Sequence, residues 1–303
     1  MTTVHCSDPS APAAGLPALW RRWARLRYPI LLRGERGTGK TALAARLHAD
    51  SGRSGPFVNG SLARMSNGLE VAELMGHCRG AFTTALASRE GIFAQAHLGT
   101  AFLDEIGRAS LEAQGAMLDF LDHRKVKPIG GIREIPLDVR LIAATNADLE
   151  SFVREGRFLR DLLDRFGFYV IRLAPLRERR EEILPLFDRF LEQESRRLAR
   201  PDTPRVSQRV RRLLLRAPWP GNVRDLVKLA EYIAGNVEGV ADLADLPAAL
   251  LDAAGQVSRA PGEPLAFRAQ RLVEDCGGNK SEAARRLGTS RAQLHRLLRA
   301  TRA

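Results

Sequence analysis

The stretch that most constrains the fold runs from Tyr28 to Leu47 and reads YPILLRGERGTGKTALAARL. A short apolar run leads into a glycine-rich turn, and the turn opens directly into a helix rich in alanine and leucine. This order predicts a phosphate-binding loop between a buried strand and a helix. Glycines let successive backbone N–H groups converge on one anion, and the helix N-terminus adds partial positive charge. A glycine-rich turn with a surface lysine is the plain alternative.

The side chains that open the helix would divide the work of holding a triphosphate and its metal ion. Lys40 would reach the β- and γ-phosphates, and the Thr41 hydroxyl would ligate Mg²⁺. ATP and Mg²⁺ are therefore the expected ligands. The cofactor-binding residues predicted in this loop are Gly34, Glu35, Arg36, Gly37, Thr38, Gly39, Lys40 and Thr41.

Two further apolar runs, GTAFLDEIG and VRLIAATN, end in polar residues. Because the carboxyl ends of parallel strands meet at one edge of a sheet, these ends are expected beside the phosphate loop. Asp104 would hold the Mg²⁺ shell, and Glu105 would polarise the attacking water. Thr145 and Asn146 would sense the γ-phosphate or orient that water. Each pair taken alone is also compatible with an ordinary polar turn.

Strand-like and helix-like segments alternate as far as about Leu173. This alternation predicts an α/β fold in which a parallel sheet carries helices on both faces. Residues 181–251 have helical periodicity only, which predicts a second, all-helical unit. The expected divisions are a loose tail (1–15), the α/β part (16–174), the helical part (175–252), a linker (253–264) and a C-terminal domain (265–303).

The C-terminal segment has the pattern of a helix-turn-helix DNA-binding domain. Asn279 with Glu282, and Ser290 with Gln293, have the spacing of helix N-terminal capping pairs, and Gly288 permits the turn between them. Residues 258–303 carry ten Lys and Arg against four Asp and Glu. A plain helical hairpin with solvated arginines is the alternative. The residues expected to contact double-stranded DNA are Arg291, Gln293, His295 and Arg296 at base edges, Lys280, Arg285 and Arg299 at phosphates, and Ser290 at the start of the second helix.

Composition adds weaker constraints. A formal net charge of +12 favours a polyanionic partner, although an arginine-rich composition can also reflect codon usage. Cys6, Cys78 and Cys276 have neither paired nor metal-ligand spacing. No apolar run approaches the roughly 18 residues needed to span a bilayer, and the N-terminus lacks a signal-peptide pattern. A cytoplasmic protein without a membrane partner is therefore expected.

Six motifs stand in one order along the chain: GERGTGKT, ELMGHCRGAFTTA, GTAFLDEI, VRLIAATN, PLRERREEI and WPGNVRDL. Together with the terminal helix-turn-helix, they resemble the bacterial enhancer-binding proteins, which are AAA+ activators of sigma-54 RNA polymerase. The resemblance implies an AAA+ sheet, a helical lid, and a ring that is usually a hexamer of one chain or a mixed ring with a related subunit. It also implies a loop that contacts the sigma-54 holoenzyme, formed here by Gly80, Ala81, Phe82, Thr83, Thr84 and Ala85.

The resemblance assigns roles that the patterns alone do not. Asn59 would couple Glu105 to the nucleotide state. Arg224 would take the sensor position in the lid and reach back toward the phosphates. Residues 125–134 would form a second loop facing the pore of the ring.

The chain departs from the family pattern at three points. Thr84 replaces a glycine of the contact loop, and a β-branched residue held at positive φ costs about 1–2 kcal/mol. Leu159 replaces the first of two arginines that reach the γ-phosphate bound by the neighbouring subunit. Arg165 keeps the second of these arginines. Arg160 lies one residue after Leu159, so on a helix its side chain would point about 100° away from the position of the replaced arginine. A regulatory domain before the AAA+ part is not expected, so control would come from abundance, an inhibitor or a partner subunit.

The motifs together predict a sigma-54-dependent transcriptional activator, an AAA+ ATPase that remodels the closed promoter complex while bound to upstream DNA. A second hypothesis, motivated by Thr84 and Leu159, is a DNA-binding regulator with a weakened or lost motor, acting in a mixed ring or on the housekeeping polymerase. A third, an AAA+ remodeller unrelated to transcription, is disfavoured by the terminal helix-turn-helix.

Overall fold

Strands and helices alternate through most of the chain. The computed structural model describes residues 18–65, 68–83, 85–251, 272–273, 276, 279–287, 294 and 298. The strands are β1 (Ile30–Arg33), β2 (Phe57–Ser61), β3 (Gly76–His77), β4 (Arg89–Glu90), β5 (Thr100–Asp104), β6 (Lys125–Val126), β7 (Ile135–Pro136), β8 (Arg140–Thr145), β9 (Val170–Arg172), β10 (Arg205–Val206) and β11 (Val240–Ala241). The helices with described bounds are α1 (Ala18–Ala24), α2 (Lys40–Ala49), α3 (Glu70–Met75), α4 (Ile92–Gln95), α5 (Leu111–His123), α6 (Leu149–Arg154), α7 (Arg160–Phe166), α8 (Ile183–Arg197), α9 (Gln208–Arg216), α10 (Val223–Asn236) and α11 (Lys280–Leu287).

Five of the strands form one parallel sheet in the order β2–β5–β8–β1–β9. Helices lie between these strands in the chain, because a parallel partner can be reached only by a crossover. All six residues of the central strand β8 are buried. A sheet covered on both faces requires a central strand that is buried along its whole length and apolar in its middle, as β8 is.

Two hydrophobic clusters lie on the two faces of this sheet. Leu31 belongs to one cluster together with Phe120 of α5. Its neighbours Ile30 and Leu32 belong to the other, together with Leu43 of α2. Because successive side chains of a strand point to opposite faces, this alternation means that helices cover both faces. The predicted α/β fold class is thus confirmed.

Helices α8 and α10 pack against each other in the part predicted to be all-helical. Phe187 of α8 and Ile233 of α10 are both fully buried. The predicted helical part also contains one short strand pair, since Arg205 pairs with Val240 and β10 runs parallel to β11. Two-residue strands are too short to produce a period of two in the sequence, and their partners are distant along the chain.

The chain divides into two compact units by its internal contacts. The units are Met1–Ser207 with Trp219–Ala241, and Gln208–Pro218 with Asp242–Ala303. The domain boundaries expected from composition stay predictions. Each described helix is too short or too polar to cross a lipid bilayer.

In the second unit, α11 begins where the sequence predicted a capped helix. The Asn279 side chain accepts a hydrogen bond from the backbone N–H of Glu282 at 3.2 Å, which satisfies one of the unpaired donors of the first turn. Ala283 and Ala284 are buried against Leu294. The first helix predicted for the helix-turn-helix therefore packs through these two alanines.

Candidate nucleotide-binding site

The glycine-rich turn joins β1 to α2 and has the backbone of an anion-binding loop. Gly37 and Gly39 have φ of 76° and 101°, a left-handed conformation that side chains disfavour. Gly39 occupies the N-cap position of α2, and no side chain caps this helix end. The first N–H groups of α2 therefore lack side-chain acceptors at the end where the helix dipole favours an anion.

Lys40 is the first residue of α2 and is only 7% exposed. Its Nζ donates to the backbone oxygens of Gly34 at 2.9 Å and Glu35 at 3.0 Å. Burial lowers the pKa of Lys40, whereas the charges of Glu105 and Asp104 oppose that shift. A desolvated ammonium interacts more strongly with an anion than a hydrated one does, so this position suits a phosphate.

The two acidic residues lie at the carboxyl end of β5. The Asp104 carboxylate accepts from the backbone N–H of Glu105 at 3.0 Å. Glu105 has a φ of 57°, which is uncommon for a residue with a side chain and which turns the chain out of the strand. In the neighbouring strand, Thr145 is paired level with Arg33 at the end of β1, and its carbonyl accepts from Gly34 N–H at 3.2 Å. The ends of three strands therefore meet beside the loop.

A cavity of about 640 Å³ lies beside these strand ends. Its lining includes Arg36 from the loop, Glu105 directly after β5, Thr145 at the end of β8, and Asn146 directly after it. The Arg36 guanidinium and the Glu105 carboxylate are 3.9 Å apart. Three separate segments singled out from the sequence are thus brought together. The same cavity is also lined by two arginines that the sequence did not single out, Arg108 and Arg157.

Oxygen ligands for a magnesium ion are available from Asp104 and Thr41. Thr41 is the second residue of α2 and is exposed, and Asp104 is partly exposed. One carboxylate and one hydroxyl, completed by phosphate oxygens and water, match the preference of Mg²⁺ for few protein ligands. No group of three or more His, Cys, Asp or Glu that could hold a metal occurs in the described part of the chain, and a nucleotide-bound Mg²⁺ does not need one.

The strand register places Asn59 before the end of β2. Asn59 pairs level with Phe102 and is exposed, two residues short of the strand end. Ser61 is the residue of β2 level with Asp104. Asn59 and Ser61 lie on the same face of the strand, and the coupling role of Asn59 stays a prediction.

The candidate arginines for a neighbouring subunit lie on α7. Arg165 is ion-paired with Asp122 at 2.8 Å, and Arg160 lies 4.0 Å from Asp164. Both are more than half exposed. Leu159 immediately precedes the helix and packs partly buried against the core, so its side chain serves packing rather than charge.

Arg224 lies in the first turn of α10, and this helix starts directly against the phosphate loop. The N–H of Val223 donates to the carbonyl of Gly37 at 2.9 Å. A Cβ added at Gly37 would lie 2.1 Å from the carbonyl oxygen of Gly221 and 3.2 Å from the Cβ of Arg224. Glycine is required here because the lid backbone approaches the loop this closely.

Glu35 is a loop residue whose side chain contacts the lid. Its carboxylate accepts two hydrogen bonds from Arg177, at 2.6 and 2.8 Å, and one from Asn222 at 3.2 Å. These contacts lower the pKa of Glu35, with the hydrogen bond from Arg177 as the largest cause. Sequence reasoning missed Arg177 and Asn222. The position of Asn222 at the end of WPGN, just before the predicted helix, was the available signal.

The predicted contact loop stands between β3 and β4, which form an antiparallel pair. Gly80 N–H donates to Ala85 O and Ala85 N–H to Phe82 O, both at 2.9 Å. Phe82 is half-buried, with its ring centroid 4.9 Å from that of His77, whereas Thr83 is exposed. The phenyl ring is thus partly covered by His77, and Thr84 lies outside the described residues.

The second predicted loop packs against the first. The pair β6–β7 brackets it, and Ile129 O accepts from Cys78 N–H at 2.9 Å. Gly130 has a φ of 73°, and a Cβ added there would lie 3.0 Å from the Cβ of Ala81. Ile132 in the same loop is 92% exposed. No pattern in the sequence predicted this close contact between the loops.

The predicted DNA-contacting residues are only partly described. Lys280 and the backbone of Arg285 lie in α11. Ser290, Arg291, Gln293, His295, Arg296 and Arg299 lie outside the described residues.

Comparison with known families agrees with this geometry. The model of the Sigma-54 interaction domain matches residues 11–172, more than half of the chain. The chain belongs to the sigma-54 activator family. The AAA+ ATPase lid domain matches residues 177–262, and the Fis family of bacterial regulatory proteins matches residues 272–300. The family resemblance seen in the motifs is thereby confirmed.

Individual relatives are similar over most of this chain. The Psp operon transcriptional activator of Escherichia coli K12 is 42% identical over 209 residues, which are 69% of this chain and 64% of that protein. ZraR of Klebsiella oxytoca is 39% identical over 88% of this chain and 62% of its own. The chain thus spans less than two thirds of these sigma-54 family relatives.

A solved structure of the same architecture is NtrX from Brucella abortus. Its complex with ATP matches with a TM-score of 0.67 and 27% identity over 93% of this chain and 65% of NtrX. Its complex with ADP matches with a TM-score of 0.72 and 28% identity, over 94% of this chain and 67% of NtrX.

Proposed function

We propose that the protein is a sigma-54-dependent transcriptional activator that hydrolyses ATP in an oligomeric ring and remodels the closed promoter complex while bound to upstream DNA. The observation that carries the proposal is the convergence of the phosphate loop, the acidic end of β5 and the start of α10 in a chain of this family. The ATP and ADP complexes of NtrX support nucleotide binding.

In this proposal the loop amides and Lys40 bind the phosphates of ATP. Thr41 and Asp104 hold Mg²⁺, which when bound neutralises charge on the phosphates. Glu105 polarises the attacking water, and Thr145 and Asn146 orient it or register the γ-phosphate. The position of Glu105 supports this role, because its side chain is only 15% exposed and lines the cavity beside the phosphate loop together with Thr145 and Asn146.

The ring is proposed because the family resemblance implies that arginines of one subunit reach the γ-phosphate bound by its neighbour. Arg165 and Arg160 are exposed on α7 and suit donation to the nucleotide bound by a neighbour. The ring is a homo-oligomer, usually a hexamer in this family, or a mixed ring with a related subunit. ATP turnover per chain should therefore rise cooperatively with protein concentration. Turnover per chain that stays constant over a range spanning dissociation of the ring would contradict the shared site.

The target of the motor is proposed to be sigma-54, contacted through the loop Gly80–Ala85. An in vitro transcription assay with sigma-54 holoenzyme tests this. Open complexes should form with ATP and should be lost in Phe82→Ala, whereas ATP turnover of this variant should persist. Absence of open complexes at every ATP and protein concentration would contradict the proposed activity.

The C-terminal domain is proposed to bind the upstream DNA. We expect Arg291→Ala to relax sequence preference, because a bidentate contact with a base edge carries about 1–3 kcal/mol of discrimination. Arg285→Ala should weaken binding similarly on all duplexes. Binding measured on specific and random duplexes separates the two effects. Equal losses on both duplexes for both variants would refute this division.

Leu159 favours one alternative, a DNA-binding regulator with a weakened motor that acts in a mixed ring or on the housekeeping polymerase. Its side chain packs against the core at the place where the family carries an arginine. An arginine finger contributes on the order of 10³-fold or more to turnover. If the alternative holds, the variant carrying Thr84→Gly and Leu159→Arg should turn over ATP much faster than the wild type. Equal rates would remove its basis.

A further inference from the structure

The turn that precedes α10 is strained, and its strain is concentrated at Asn222. Asn222 has φ and ψ of 54° and −133°, and Trp219 has a φ of 48°. The values at Asn222 belong to a region that residues with side chains seldom adopt. Asn222 is also fully buried. A strained, buried amide persists only where the surrounding contacts hold it.

The Asn222 side chain does not perform the usual task of an asparagine at a helix start. It occupies the N-cap position of α10 but makes no capping hydrogen bond to that helix. Its Oδ1 instead accepts from the N–H of Leu176 at 2.7 Å. Its Nδ2 donates to the carbonyl of Arg36 at 2.9 Å and to the Glu35 carboxylate at 3.2 Å. One amide thus joins the phosphate loop to two separate parts of the lid.

Arg177 makes a second connection between the same two regions. Its guanidinium binds both oxygens of Glu35, at 2.6 and 2.8 Å, although the two partners are 142 residues apart in the sequence. Both side chains are about two fifths exposed. A pair exposed to this degree adds little to stability, but its two-pronged geometry fixes the orientation of the groups it joins.

The connection through Asn222 lies close in the chain to Arg224, the residue that would sense the nucleotide. Val223 N–H donates to Gly37 O at 2.9 Å, and Arg224 follows in the same helical turn. A shift of the loop relative to Asn222 would therefore move the backbone from which Arg224 extends. The position of Arg224 therefore depends on side-chain contacts between the phosphate loop and the lid.

We propose that Glu35, Arg177 and Asn222 form a latch that fixes the phosphate loop to the lid and thereby positions Arg224 for ATP hydrolysis. The latch rests on the proposed ATPase function. Its members are positioning residues, because their side chains contact each other and join the loop to the lid. Loss of the latch should accordingly lower kcat while leaving the dissociation constant for ATP close to that of the wild type.

The first test measures kcat and the ATP dissociation constant in Glu35→Gln, Arg177→Gln and the double variant. Each single variant should lose about tenfold in kcat, because misplacing a group by 1 Å can cost on the order of 10²-fold. The double variant should be no slower than the slower single variant, because both changes remove one interaction. Losses that multiply, or an equal loss in ATP binding, would overturn the latch.

The second test does not depend on turnover. Amide hydrogen exchange of the segment containing Val223 reports whether α10 stays docked on Gly37. Exchange there should accelerate about tenfold in both single variants, in proportion to the open population. Unchanged exchange at Val223 in both variants would overturn the latch.

Arg180→Gln is the matched control. Arg180 is an exposed arginine in the next turn, but its Nε donates to the backbone oxygen of Arg177 at 3.2 Å and not to Glu35. It should behave as the wild type in both tests, and a loss equal to that of Arg177→Gln would contradict a specific latch. A wild type without ATP turnover would refute the proposed function, and the exchange measurement would then decide the latch alone.

Discussion

Replacing Asn222 separates backbone strain from side-chain hydrogen bonding. Asn222→Ala removes three hydrogen bonds and leaves the buried N–H of Leu176 without its acceptor. The two bonds donated by Asn222 contribute about 1 kcal/mol each and the unsatisfied N–H of Leu176 costs about 1–3 kcal/mol, so a destabilisation of about 3–5 kcal/mol is expected. Asn222→Gly loses the same bonds but accepts the φ of 54° without a Cβ, so it should be about 1 kcal/mol more stable than Asn222→Ala.

Urea unfolding followed by tryptophan fluorescence measures this difference. The three tryptophans of the chain, Trp20, Trp23 and Trp219, all belong to the unit that contains Asn222, so the signal reports on that unit. Both variants should show lower unfolding midpoints with unchanged slopes, in the order wild type, glycine, alanine. A glycine variant no more stable than the alanine variant would refute the argument from strain. Two variants as stable as the wild type would refute the hydrogen-bond assignment.

Three further predictions use other parts of the molecule. Gly37→Ala should weaken ATP binding at least tenfold, because the new Cβ would collide with the lid backbone. Gly52→Ala is the control, because Gly52 also has a positive φ, 73°, but its new Cβ would meet no other atom. This variant should bind ATP as the wild type does. Gly130→Ala should reduce open-complex formation without changing ATP turnover, because the added Cβ presses on the contact loop; normal open-complex formation would contradict this. The hydrogen bond from Arg33 lowers the pKa of Glu150 to about 2, below its ordinary value of 4.5. The stabilisation that this ion pair gives should be present above about pH 4.5 and lost as the pH falls toward 2. In Glu150→Gln, the free energy of unfolding should therefore fall less steeply over this acidic range. An unchanged dependence of the free energy of unfolding on pH would contradict the assignment.

The buried strands were the part of the fold most accessible from sequence. β1, β5 and β8 are short apolar runs followed by polar or glycine residues, and a strand covered on both faces needs little more than that pattern. The two-residue strands β10 and β11 left no such trace. Their pairing depends on packing around them rather than on local preference.

Within the candidate site, local and distant residues were predicted unequally well. The loop conformation at Gly37 and Gly39 follows from neighbouring residues and was readable directly. The register that sets Ser61 level with Asp104 could not be read from the sequence. Strand pairing depends on which residues of two distant segments pack together.

The sequence by itself determined the strand–loop–helix that receives a phosphate, the acidic strand end and the family to which the chain belongs. Each of these depends on residues close together in the chain, where dihedral preferences and periodicity act. Only the tertiary structure decided that the Glu35 side chain meets Arg177 and Asn222. Partners so far apart in sequence are chosen by the packing of the lid on the loop, and no local preference encodes that choice.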